Sequence, residues 1–487
     1  MIDTIKTEWF SNVKGDILSG VVVAMALIPE AIAFSIIAGV DPMVGLYASF
    51  LIAVIISFAG GRPAMISAAT GAMALVAAPL VADYGVHYLL AATILTGVFQ
   101  LLFGVFKVAK LMKFIPRAVM IGFVNSLAIL IFMAQVPHFL GISSMTYVFV
   151  GITLGIVYIL PRFFNAVPAP LIAIVLLTIV AVYSNYDLRT VGDLGTITQS
   201  LPSFFIPDVP FTIETLMIIL PYALALSVVG LLESLLTATI VDDMTDTGSN
   251  KNREARGQGI ANFVTGFFGG MAGCAMIGQS VINVKSGGLT RLSTFIAGAF
   301  LMFLILVLGS VVVQIPMAVL VGIMIMVSIG TFDWSSFSYM TKAPKSDTAV
   351  MLVTVIIVVV THDLSQGVIA GVILSAVLFV SKISKIQVKK TIENSVTRYA
   401  IDGQLFFASV EDFLDAFELD VQHKKVVLDF TDAHIWDDSG VGAVDRIVLK
   451  LRENDNEVII EGLDGGSRKL VEKIAVFNSK NAKLPSH

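Results

Sequence analysis

The chain has 487 residues, of which 56% are hydrophobic and only 14% charged, and its mean hydropathy is +0.89. A soluble chain carries roughly a quarter charged residues, so the composition excludes an ordinary soluble protein and points to a polytopic membrane protein with the lipid bilayer as its surroundings and no nucleic-acid partner. The net charge of -5 decides little, because charge in membrane proteins is informative by location. The single cysteine, Cys274, excludes an internal disulfide and any multi-cysteine metal site.

The first stretch, MIDTIKTEWFSNVKGD, carries acidic residues and no cleavage site follows it, so the apolar run after it is expected to be a retained helix. Up to fourteen apolar segments are expected, several short or broken, beginning near Asp16, Val44, Ala68, Tyr88, Pro116, Met145, Pro168, Thr215, Gly257, Ile277, Leu292, Pro316, Thr348 and Leu364. Alternating the loops from a cytoplasmic N-terminus gathers Lys14, Arg62, Lys107, Arg117, Arg162, Lys251, Arg256, Arg291, Lys345 and Lys382 on one side. Essentially Arg189 alone falls on the other. By the positive-inside rule both termini are cytoplasmic.

After Lys390 the composition becomes that of a soluble domain. TRYAIDGQLFFAS reads as two short strands around a turn at Asp402-Gly403; Lys424 to Phe430 and Glu457 to Leu463 read as strands, and Gly440 to Arg452 has helical period. The expected organisation is a transmembrane domain over 1–390 and a small cytoplasmic α/β domain over 391–487.

Two stretches break the apolar pattern. Met271 to Thr290, MAGCAMIGQSVINVKSGGLT, is too short, too rich in Gly and too polar to span as an ordinary helix. Broken backbone at membrane depth is tolerated only where protein or a cavity satisfies its polar groups. Gly60 to Leu80 has the same character: an extended run, Ala64 to Ser67, leads through Ala69-Thr70-Gly71-Ala72 into helix. One such segment in each half is what an inverted repeat with a midplane site gives. Two helix N-termini facing one point direct partial positive charge at it, so the natural ligand is an anion. Small-residue clusters also serve close helix packing.

Ionisable residues within membrane segments are expensive and mark candidate sites. Glu30 follows Pro29, where a helix break opening on a cavity is expected, and Glu233 lies in LSVVGLLESLLTATI. Glu233 and Thr237 are four apart and share a helix face. Together they offer oxygen ligands to a sodium ion, or Glu233 takes and releases a proton; the alternative is a carboxylate hydrogen-bonded for packing alone.

These residues carry a resemblance. Pro29 to Tyr47, PEAIAFSIIAGVDPMVGLY, closely resembles the signature of the SulP anion transporters, the sulfate permease family, with supporting matches at Thr70-Gly71, Gly122-Phe123, Gln135, Pro137, Gly257 to Gly259, Asn283 and Ile315-Pro316. The C-terminal segment looks like a STAS domain, with Asp437-Asp438-Ser439-Gly440 where relatives have an acidic-serine-glycine turn at a helix start. The resemblance implies fourteen segments in a seven-plus-seven inverted repeat with core and gate domains, working by alternating access, as a homodimer. Among relatives it is closest in look to bacterial sulfate and bicarbonate carriers of the inner membrane.

Carried over residue by residue, Thr70, Gly71 and Ala72 fall on one anion half-site and Ile277, Gly278, Gln279 and Ser280 on the other. Glu233 and Thr237 fall where cation-coupled bicarbonate carriers of the family hold sodium, and Glu30 where many relatives have Gln or Glu. Two departures matter: many relatives have arginine at Gln279, and sodium-coupled relatives have smaller, more polar residues near Ala275 to Ile277. Two buried carboxylates without a basic partner imply coupling to sodium or a proton, with no other cofactor. Ser439 is a candidate phosphate acceptor, or part of a helix cap, on a domain that would receive a cytoplasmic regulator. The function expected is secondary transport of bicarbonate or sulfate. The alternatives are an uncoupled channel or exchanger, a dicarboxylate carrier, or a nucleobase carrier, against which the signature speaks. An enzyme is not expected, and the missing GxxxxGK[ST] motif speaks against primary transport.

Overall fold

The computed structural model describes residues 7–164, 167–184, 188–195, 197–393, 396–419, 422 and 424–477. The chain divides into two compact units, Met1–Val372 and Ile373–His487. The first is helical. α1 (Val13–Ala38) ends on Gly39 in the left-handed conformation, and α2 (Pro42–Ala59) starts on an Asp41 cap that accepts from Met43 N. α1 runs unbroken through Pro29, where a break was expected. Membrane helices tolerate such a proline because neighbouring helices and local adjustment satisfy the freed carbonyl.

β1 (Ser67–Ala68) then leads into α3 (Gly71–Tyr84), followed by α4 (Val86–Val105), α5 (Arg117–Phe139), α6 (Ser144–Ile159) and α7 (Ala169–Ser184). α8 (Ile213–Thr245) and α9 (Lys251–Phe267) lead to β2 (Cys274–Ala275) and the nine-residue α10 (Ile277–Lys285). α11 (Arg291–Val312), α12 (Met317–Thr331), the short α13 (Ser336–Lys342), α14 (Lys345–Thr361) and α15 (Leu364–Ile383) complete the helices of this region. A helix starts within a few residues of every expected span start. Among the described residues, nine helical stretches are long and apolar enough to cross a bilayer.

α4 and α9 approach closely along a glycine seam. A Cβ at Gly97 would lie 2.3 Å from the Phe263 nitrogen, and one at Gly259 would lie 2.5 Å from the Leu101 nitrogen. Only glycine permits that backbone separation.

The second unit carries a four-stranded sheet in the order β3-β4-β5-β6: β3 (Gln387–Glu393), β4 (Val396–Leu405), β5 (Lys425–Ile435) and β6 (Glu457–Glu461). β3 and β4 are antiparallel; the other pairs are parallel and connect through α16 (Val410–Asp415) and α17 (Asp438–Glu453), with α18 (Gly465–Ile474) last. Tyr399, Phe413 and Phe430 centre its core. The turn expected at Asp402-Gly403 is instead the interior of β4. Its backbone groups find partners on both β3 and β5, Gly403 takes a φ of 124°, and an extra β5 residue between Asp429 and Asp432 absorbs the irregularity.

Candidate functional site

The two broken stretches meet. β1 and β2 pair antiparallel, Ser67 with Ala275 and Ala68 with Cys274, and Met276 N donates to Ile66 O at 2.8 Å. Each strand feeds at once into a helix, so α3 and α10 both begin at this crossing. The first amides of a helix have no intrahelical acceptor, and here two such sets start beside one cavity of about 90 Å³. Thr70, the cap of α3, accepts from Met73 N at 3.4 Å.

A buried polar frame holds the crossing. Gln258 donates to Ser67 Oγ and to Glu254, and Glu254 accepts from the Gly61 and Arg62 nitrogens. Asn262 donates to Gln100 and to Gly273 O and accepts from Gly273 N, while Ser234 accepts from Ala275 N. Asn283 donates to Ala64 O and Ser293. Every such bond satisfies backbone or amide groups that lipid would leave unpaired.

Of the residues expected at the site, Thr70, Gly71, Ile277, Gly278, Gln279, Glu30 and Glu233 line the cavity together. Gln279 Nε2 donates to Glu30 at 2.8 Å, and the Cys274 thiol donates to Glu233 at 3.0 Å. The lining carries two carboxylates and no lysine, arginine or histidine. Ala72 and Ser280 lie outside the lining; the Ser280 hydroxyl instead clamps Ile66, accepting from its nitrogen at 2.9 Å. Thr237 is also outside, its hydroxyl donating to the Glu233 carbonyl oxygen at 2.7 Å. Sequence reasoning missed the opposite wall, Phe123, Val124, Leu127 and Ile131 on α5 with Val327 and Thr331 on α12. It also gave Cys274 no place at the site, although its position between two site segments was a usable signal.

In the second unit Ser439 is exposed in the first turn of α17, but the cap is Asp437, which accepts from Gly440 N and from Phe407 N. Asp464 caps α18, and its interaction with the Ser467 side chain, with the Gly466 and Ser467 amides added, holds its carboxyl down at about 2. His434 lies 3.1 Å from it.

Residues 13–153 and 143–354 match the sulfate permease family, and residues 387–484 match the STAS domain. The chain belongs to the sulfate permease family. That family is one of transporters, not enzymes. This sulfate permease family chain is 63% identical to the Bacillus subtilis (strain 168) protein named "Putative sulfate transporter YbaR", over 97% of the chain and 99% of that protein. It is 28% identical to the bicarbonate transporter BicA of Picosynechococcus sp. over 96% of the chain and 92% of the relative. Among solved structures, the transmembrane domain of a cyanobacterial BicA is similar at a TM-score of 0.66 and 29% identity, covering 74% of the chain and 98% of that domain. The murine Slc26a9 anion transporter in its inward-facing state shares the fold at a TM-score of 0.85 and 16% identity, covering 98% of the chain and 90% of that protein.

Proposed function

We propose that the protein is a secondary active transporter of a small inorganic anion, sulfate first and bicarbonate second, driven by protons and working by alternating access in the inner membrane. The observation that carries this reading is the crossing of β1 and β2, which sets the starts of α3 and α10 beside one cavity with Glu30 and Glu233 in its wall. Helix starts attract an anion. Two carboxylates without a basic partner repel it until they bind a cation, which ties anion entry to cation entry. The name of the Bacillus subtilis relative supports sulfate.

Protons rather than sodium fit the neighbours of Glu233. Its contact is the soft thiol of Cys274, a poor ligand for a hard cation, and Thr237 lies outside the cavity lining. The seven-plus-seven repeat of core and gate, the homodimer and the cytoplasmic placement of both termini follow from the family resemblance and the lysine distribution. Labelled sulfate uptake into proteoliposomes, under a proton gradient and then a sodium gradient, tests the proposal. Accumulation above equilibrium under the proton gradient is expected; conductive flux without accumulation under either gradient refutes it.

A further inference from the structure

Three side chains from three elements form one line between the cavity and the carboxylate beside it. Thr70 Oγ, at the start of α3, lies 3.2 Å from Cys274 Sγ on β2, and Cys274 Sγ lies 3.0 Å from Glu233 Oε2 on α8. All three residues are buried, and Thr70 and Glu233 also line the cavity. Across the cavity Gln279, only 2% exposed, gives its Nε2 to Glu30 and leaves Oε1 without a partner, an independent sign that this wall awaits a ligand.

A thiol and a hydroxyl each carry one hydrogen and can both donate and accept, so the line can run in either direction. With Glu233 ionised, the carboxylate only accepts. The thiol must then point its hydrogen at Glu233, the Thr70 hydroxyl donates to sulfur, and Thr70 turns a lone pair to the cavity. With Glu233 protonated, its O–H donates to sulfur, the thiol hydrogen turns to Thr70 Oγ, and the Thr70 hydrogen is released toward the cavity. No proton passes between heavy atoms along the line; the only proton gained is the one on Glu233.

We propose that Cys274 is a positioning residue that couples the two ligands, converting protonation of Glu233 into a hydrogen-bond donor, Thr70, aimed at the anion. This rests on the proton-coupled reading above and deepens it. The charged and titratable groups around Glu233 are few. β2 brings Cys274 and α1 brings Glu30 across the cavity. α9 brings Glu254, held by Gly61, Arg62 and Gln258. On α8 itself the next acid is Asp242, paired with Arg62 and Lys251. Asp83 and Tyr84 on α3 and His87 and Tyr88 on α4 lie at the far ends of those helices, and Lys285 closes α10.

The experiment measures KM for labelled sulfate in proteoliposomes at acid and neutral pH, for the unaltered protein, Cys274→Ser and Cys274→Ala, each also in a Glu30→Gln background that leaves Glu233 as the cavity's one carboxylate. Serine keeps the donor and acceptor; alanine removes both. The through-space effect of neutralising Glu233 is common to the two variants, so their difference isolates the line. One hydrogen bond to a charged group is worth about ten- to hundredfold in affinity. The expected result is that KM falls with pH in the unaltered protein and Cys274→Ser, while in Cys274→Ala the ratio of the two KM values shrinks by about tenfold or more. In a Thr70→Val background the serine and alanine variants should match, because the terminal hydroxyl is gone.

Identical pH profiles for Cys274→Ser and Cys274→Ala, with proton-driven accumulation intact in the unaltered protein, overturn the proposal and leave the transporter reading standing. A KM that ignores pH in the unaltered protein overturns the proposal, and loss of accumulation under the proton gradient removes proton coupling with it.

Discussion

Gly278 offers the sharpest test of where the anion sits. It is the second residue of α10, it lines the cavity, and a Cβ built there meets nothing within 4 Å, so the first atom of a new side chain enters empty space. The cavity of about 90 Å³ has room for several waters, since one water needs roughly 10–15 Å³ by this measure. Gly278→Ala therefore leaves the fold intact, and alanine in a helix gains about 0.5–1 kcal/mol over glycine. For an anion seated against the first turn of α10, however, the methyl is an intrusion. Inserting a carbon into a filled site costs about 1–3 kcal/mol, a loss of roughly five- to hundredfold in affinity. The tetrahedral sulfate should lose more than the smaller, planar bicarbonate. The assay is KM for labelled sulfate and for labelled bicarbonate in proteoliposomes, with melting temperature in detergent as the control. An unchanged KM for both, with melting temperature equal or raised, would show that no anion rests on this helix end and would refute the site.

Three other substitutions probe the remaining parts. Glu233→Gln is expected to abolish gradient-driven accumulation while sulfate still equilibrates across the membrane; accumulation with its proton dependence intact would remove Glu233 from coupling. Asn262→Ala strands the Gly273 nitrogen and the Gln100 side-chain Oε1 in the buried frame, at about 1–3 kcal/mol for each group left unpaired. A clear drop in melting temperature should follow, and an unchanged one would mean the frame is not what holds the crossing. In the second unit, Asp464 is held at about 2, below its ordinary 3.8, so its contribution to stability is full above the ordinary value and fades as pH falls through about 2. Asp464→Asn should therefore destabilise the unit at neutral pH and match the unaltered protein only well below pH 2, read from Trp436 fluorescence with Trp9 and Trp334 replaced by Phe. An equal deficit at both pH values would contradict the assignment.

Helix starts were legible because Pro, Gly and polar clusters punctuate long apolar runs, and in this chain those signals are local. The two breaks were legible for the same reason. Glu30 and Glu233 announced themselves as carboxylates in apolar surroundings, whereas the individual residues of the two half-sites, Ile277 among them, came from the family resemblance. What stayed hidden is what lacks contrast. Phe123, Leu127 and Val327 resemble every other apolar residue on α5 and α12, and only packing selects them as the far wall. Thr237 shares a helix face with Glu233, which also brings its hydroxyl within reach of the Glu233 carbonyl, four residues back, and it donates there from outside the cavity lining. Pro29 and Asp402-Gly403 misled because neighbouring helices and strands can satisfy a backbone that looks broken in isolation.

The pairing of Ser67 with Ala275 has a consequence for biogenesis. These residues lie far apart in the chain, so the polar backbone around β1 enters the membrane long before its partner has been synthesised. α3, at 14 residues, is too short to cross alone and has no covering strand until β2 emerges. During that interval the nascent chain carries unpaired amides and carbonyls in a place where they are costly, and closing so long a loop is slow. Assembly therefore passes through a vulnerable half-made state that ends when Cys274 and Ala275 arrive. A ribosome stalled just before them leaves a chain with many helices and no site.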